Sequence, residues 1–171
     1  MRFLLMVLFL SGLQVFCFGQ TYISLAPSIS NQAGSLADKI NINLEVGRQW
    51  DVFSLGLVVG TNSLAKSSPD TTTFFELRPN LNVFQQGKFT NTFTAGIGYI
   101  VNAKESLLTE LTYGIEYAHT PQIHFNVYFG QYYYSGRYSD SNSTFFGFSC
   151  MYYFSPNHAK PLIQNNRSQA Q

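Results

Sequence analysis

The stretch Thr92-Phe93-Thr94-Ala95-Gly96-Ile97-Gly98-Tyr99 alternates without a break: Phe93, Ala95, Ile97 and Tyr99 are apolar, while Thr92, Thr94, Gly96 and Gly98 are small or polar. Side chains of a β-strand point to opposite faces in turn, so the stretch reads as a strand with one greasy face and one small, polar face. Working outward, the same period recurs on both sides. Upstream lie Ile23, Leu25, Pro27, Ile29; then Ile40, Ile42, Leu44, Val46; then Phe53, Leu55, Leu57, Val59; then Phe75, Leu77, Pro79, Leu81, Val83. Downstream lie Leu111, Tyr113, Ile115, Tyr117; then Ile123, Phe125, Val127, Phe129; and last Phe146, Phe148, Cys150, Tyr152, Phe154. With Phe93 to Val101 that makes eight strands, and none of these positions is charged.

The interleaved positions are of another kind, among them Ser24, Asn41, Asn43, Ser54, Asn80, Thr112, Asn126 and Ser149, and eight of the 13 glycines fall on this face. A soluble barrel or sandwich turns its apolar face inward and shows Lys and Glu to water. Here the polar face is Gly, Ser, Thr and Asn, which suits a crowded, hydrogen-bonded interior, and the apolar face is left to meet lipid. Closure into a barrel then satisfies every backbone group where no water can. The pattern predicts an all-β fold, an eight-stranded antiparallel transmembrane β-barrel in up-and-down order over residues 20–154.

Composition agrees with this. Only 11% of the 171 residues are charged, less than half of what soluble domains usually carry, while 16 Phe and 11 Tyr favour strands. A net charge of +1 leaves no basic excess for a phosphate backbone, so nucleic acid is not an expected partner. Met1 and Arg2, the apolar run Phe3 to Leu10 and the small residues Cys17 and Gly19 lay out a secretory signal peptide over 1–19, cut before Gln20. Cleavage leaves Cys150 as the sole cysteine and excludes an intrachain disulfide.

Connection lengths orient the barrel. Short segments at Arg48 to Asp51, Phe84 to Phe89 and Ala118 to Gln122 alternate with longer polar ones at Asn31 to Lys39, Thr61 to Thr73, Asn102 to Leu107 and Ser135 to Ser143. Short periplasmic turns and long external loops put both termini in the periplasm. Aromatic belts are expected at Trp50, Phe84, Phe89, Tyr117 and Phe154 near the inner rim, and at Phe74, Phe75, Tyr132, Tyr133 and Tyr134 near the outer one. Pro27 and Pro79 fall inside strands, where each removes a ladder donor, and local bulges are expected there.

The eight alternating segments, with the glycine-punctuated Thr94 to Tyr99 and Tyr113-Gly114-Ile115-Glu116-Tyr117, resemble the small outer-membrane β-barrel proteins of Gram-negative bacteria, the porin-family, OmpA/OmpX-like group. The resemblance covers about residues 20–154. It implies residence in the outer membrane, contact with lipid including lipopolysaccharide, and recognition by the barrel-insertion machinery through Tyr152 and Phe154. The chain departs from that family's aromatic ending because residues 155–171 follow, with two Pro and no acid. That segment is expected to be a disordered periplasmic tail.

Candidate chemistry lies in the lumen. Glu45, Glu76, Glu110 and Glu116 share the inner face with Arg78 and His124, and an unpaired charge there would be costly, so a charge network with Arg78 at its hub is expected. No catalytic, cofactor or metal site is expected. Eight strands enclose just enough room for side chains, which favours a structural or surface-interaction role, with an extracellular ligand at the loops, over a narrow channel for small solutes or ions. A lipid A-modifying enzyme is a further alternative: His124, Ser149 and Glu116 could serve as base, nucleophile and orienting acid.

Overall fold

A computed structural model describes residues 19–32, 39–62, 72–101, 103, 106–137 and 140–154. Eight strands follow one another: β1 Gln20–Gln32, β2 Lys39–Trp50, β3 Phe53–Asn62, β4 Thr72–Gln86, β5 Phe89–Ile100, β6 Leu107–Ala118, β7 Ile123–Ser135 and β8 Asp140–Tyr153. Each is hydrogen-bonded to its neighbours in chain order and β1 pairs antiparallel with β8, so the sheet is a closed barrel. Closure lets every strand have two partners and leaves no edge along the barrel wall.

The alternation sorts the side chains as the sequence predicts. Leu57, Ile97, Val127 and Phe148 are more than half exposed on the outside, while Ser24, Asn43, Thr92 and Ser149 are buried inside. The inner face is not uniformly small, however. Tyr22, Val58, Phe74, Tyr132, Tyr134, Phe145 and Tyr153 also point inward and are buried. The outer aromatic belt is corrected accordingly: Phe74, Tyr132 and Tyr134 turn into the lumen, and only Phe75 and Tyr133 of that group face outward. Adjacent residues of an unbulged strand point to opposite faces, so a run such as Tyr132-Tyr133-Tyr134 must split.

Strands run further than the apolar pattern does, because ladder hydrogen bonds do not require apolar side chains. Two of the short connections shrink to Asp51-Val52 and Gly87-Lys88, closed by the pairs Trp50↔Phe53 and Gln86↔Phe89. Both turns use a left-handed residue, Asp51 at φ 52° and Gly87 at φ 61°, as tight hairpins demand. At the opposite end, β8 begins at Asp140, so only residues 136–139 join it to β7. The end that carries Gln20 and Tyr153 is the turn end, and the opposite end is the loop end.

The bulges expected at Pro27 and Pro79 are absent. Instead the ladders break and resume in the same register: β1–β8 passes from Leu25↔Cys150 to Ser28↔Gly147, and β4–β5 from Leu77↔Ile97 to Asn80↔Thr94. Each proline thus turns its missing donor toward one seam only. The register shift in β4–β5 lies lower, between Asn82 and Phe84. An extra residue there reverses the alternation, so that Val83 and Phe84 are both outward and both 60% exposed.

The inner glycines provide a test of lumen packing. A Cβ at Gly130 would press on the Leu111 backbone carbonyl and on the Phe145 ring, and the carbonyl cannot move aside. Gly130→Ala is expected to lower the unfolding free energy by about 1–3 kcal/mol in a urea titration of the refolded barrel. Wild-type stability would mean that β6, β7 and β8 pack more loosely than described.

Candidate functional site

Arg78 stands at the middle of the lumen on β4, opposite Gly56 of β3. Its buried guanidinium donates from Nη1 to Glu45 Oε2 at 3.1 Å and from both Nε and Nη2 to Glu110 Oε2, the latter at 2.5 Å. Glu76 Oε2 lies 3.5 Å from Nη2. One cation is therefore surrounded by carboxyl groups from β2, β4 and β6. A guanidinium suits this position because its planar fork presents donors in several directions at once.

Glycine makes the gathering sterically feasible. A Cβ at Gly56 would overlap the Glu45 carboxylate, and a Cβ at Gly96 would overlap that of Glu76, so each acid lies sideways across a bare neighbouring strand to reach Arg78. Hydroxyls complete the first two acids: Tyr22 donates to Glu45 Oε1 at 2.5 Å, and Thr112 donates to Glu110 Oε1 at 2.5 Å. Neither hydroxyl was part of the expected network. Parity alone puts Thr112 on the inner face, and the same parity puts Tyr22 there, one residue before outward Ile23 in the alternation.

The remaining expected members stand apart. Glu116 and His124 form their own pair, Oε1 to Nδ1 at 2.6 Å, nearer the turn end. The Tyr153 ring packs on His124 at 4.7 Å between centroids and its hydroxyl donates to Gln49. A cavity of about 40 Å³ lies among Glu45, Arg78, Glu110, Glu116, Asn126 and Tyr153, room for roughly three waters. Toward the loop end an apolar cluster fills the lumen, including Phe74, Ile100, Leu108, Tyr132, Tyr134 and Phe145. Tyr132 stacks on Phe145 at 4.2 Å. Among the described residues no group of His, Cys, Asp and Glu is arranged to hold a metal.

On the outer wall at the turn end, Trp50 stacks on Phe53 at 6.0 Å and Phe89 packs on Tyr117 at 5.1 Å, with Phe84 and Phe154 exposed nearby. Lys88 reaches over the Tyr117 ring at 6.0 Å.

No protein-family model matches the chain. No curated protein matches it in sequence either. Solved structures do match in fold. The crystal structure of Neisserial surface protein A (NspA) is 11% identical, with a TM-score of 0.56 over 80% of this chain and 97% of that one. The solution NMR structure of the de novo designed TMB2.3 is 16% identical, with a TM-score of 0.55 over 81% and 98%. The N-terminal β-barrel domain of Pseudomonas aeruginosa OprF is 12% identical, with a TM-score of 0.52 over 78% and 99%. The fold is that of the small eight-stranded outer-membrane barrels. On that fold, this chain has a lumen filled with aromatic rings at one end and a charge cluster at its centre.

Removing the hub should expose its worth. Arg78→Met leaves Glu45 and Glu110 buried without their cation, and is expected to destabilise the barrel by about 3–5 kcal/mol. Adding Glu110→Gln should recover part of that loss, a non-additivity readable in a double-mutant cycle of urea unfolding. Strictly additive losses would place Arg78 outside the network.

Proposed function

We propose that this chain is an integral outer-membrane β-barrel protein with a closed lumen, acting as a structural or surface-interaction element and not as an enzyme. The observation that carries the reading is the pairing of an outer wall rich in exposed Leu, Ile, Val and Phe with an inner wall that is packed shut. An apolar belt of this size on a soluble monomer would drive association, whereas hydrocarbon accommodates it. The fold shared with outer-membrane barrels supports the same placement.

In this reading the turn end and both termini face the periplasm, and the loop end carries the surface that meets an extracellular ligand. Lipid, including lipopolysaccharide, covers the wall. Tyr152 on the last strand and Phe154 just past its end, both outward, are the side chains offered to the insertion machinery. The tail 155–171 lies outside the described residues, as does the signal segment through residue 18.

The channel alternative is weaker because the aromatic cluster closes the loop end and the cavity holds only a few waters. The same confinement weighs against lipid chemistry at His124, Ser149 and Glu116, since an acyl chain has no way in.

Two measurements test the proposal. Refolded protein in a planar bilayer is expected to give no resolved single-channel steps, and reproducible salt-dependent steps would favour the channel. Leu57→Arg, near the middle of β3 and 66% exposed, is expected to destabilise insertion by about 2–4 kcal/mol, because the charge must enter hydrocarbon. A change under about half a kcal/mol in a reversible folding assay into vesicles would count against lipid exposure.

A further inference from the structure

We infer that Glu76 holds a proton, so that the centre of the lumen is a proton-binding site in which a neutral carboxylic acid sits beside Arg78. The side chain of Glu76 has no solvent exposure, and neither of its oxygens has a hydrogen-bond partner among the described residues. Its nearest cation, Arg78 Nη2, is 3.5 Å away and already donates to Glu110. Nη1 and Nε donate to Glu45 and Glu110, and none of the three guanidinium nitrogens makes a hydrogen bond to Glu76. A carboxylate buried without donors takes up a proton rather than bear the loss of hydration.

The count of charges around the site leads the same way. Glu110 faces Glu76 from β6, Glu45 from β2 and Arg78 from its own strand, with the neutral hydroxyls of Tyr22 on β1 and Tyr132 on β7 completing the ring. The flanking strands add nothing titratable there, since the inner positions nearby are Gly56 and Val58 on β3 and Gly96 and Gly98 on β5. Three carboxyl groups thus share one guanidinium, and ionising all three would leave two negative charges uncompensated. Of the three, Glu45 and Glu110 each accept both a hydroxyl and a guanidinium N–H, whereas Glu76 accepts neither. The proton therefore belongs on Glu76, where its O–H becomes a donor for the acceptor-rich carboxylate of Glu110. The polar cavity reaches Arg78 and Glu110 but not Glu76 itself, so Glu110 stands between that proton and the cavity.

This inference stands on the lumen geometry and is independent of where the barrel resides. Infrared spectroscopy of the refolded chain at neutral pH, in a detergent free of ester groups, is expected to show the C=O stretch of one protonated carboxyl, moving to lower frequency in D2O. The band should vanish in Glu76→Gln, whose folding is checked by heat-dependent gel mobility. Absence of the band in the wild type, or its persistence unchanged in a folded Glu76→Gln, would overturn the proposal. If that variant does not refold, carbon-13 labelling of glutamate in the wild type decides the matter: one carboxyl carbon at the protonated position is expected, and all of them ionised would refute it.

Discussion

Closure of the hydrogen-bonded ladder between β1 and β8 is the constraint on which the rest of this structure depends. Without it β1 and β8 would each present a row of unpaired N–H and C=O groups that would need other partners. With it, side-chain direction is no longer negotiable: every residue of every strand either faces the outside or enters the lumen. Outward positions are mainly Leu, Ile, Val and Phe, while Glu45, Glu76, Arg78, Glu110 and Glu116 are buried inside. The two prolines show how firmly closure is held. Pro27 and Pro79 each interrupt a single seam, and the register on either side is unchanged. Tyr128 reaches across β8 to donate to the Pro27 carbonyl at 3.3 Å, a side-chain bond at the point where the ladder is broken.

Confinement of charge has a second consequence, for what the lumen can do. Arg78 lies among acids that come from three strands, none of them next to another in the ladder, so the cluster ties opposite walls of the barrel together. Such a cross-tie is a poor element of a pore, since solute passage would have to part it. The aromatic cluster at the loop end closes the lumen by a different means, packing. Polar and apolar plugs in series leave space for water between the walls and for little else.

Period two, read from the chain, located all eight strands and sorted outward from inward positions, because the alternation has only two phases and one is free of charge. It also brought Arg78, Glu45, Glu76 and Glu110 onto one face. What it could not supply was depth along the axis. Glu116 and His124 share that face with Arg78 yet form a separate pair near the turn end, since axial position depends on strand tilt and stagger. Inward aromatics were missed for a related reason: in Phe74-Phe75 and Tyr132-Tyr133-Tyr134 the apolar label is the same on both faces, so hydrophobicity carries no phase. The bulge at Val83 left no such signal at all, and it took the ladder itself to show how Val83 and Phe84 both face outward.

The inward placement of the glycines and the excess of aromatics turn out to be one fact about the interior. An eight-stranded lumen is too narrow for large residues on every strand, so each large side chain lies across a neighbour that has none. Tyr22 covers Gly47, Phe74 covers Gly60, Phe145 covers Gly130 and Tyr128 covers Gly147, just as Glu45 and Glu76 cover Gly56 and Gly96. Large and bare positions are thereby paired across adjacent strands, and the pairing fixes which rotamers the rings and acids can adopt. Enlarging the glycine or truncating its partner disturbs the same contact from opposite sides. Replacing both together, with volume conserved, preserves the fill of the lumen but moves the side chain to another strand. For Phe74 and Phe145 that exchange is a matter of packing alone, whereas for Tyr22 and Tyr128 it would also remove a hydroxyl from Glu45 and from the Pro27 carbonyl. For Glu45 and Glu76 it would carry a carboxyl away from Arg78, which is why the glycines beneath the acids and beneath Tyr22 are bound to the charge cluster and those beneath the two Phe rings are bound only to volume.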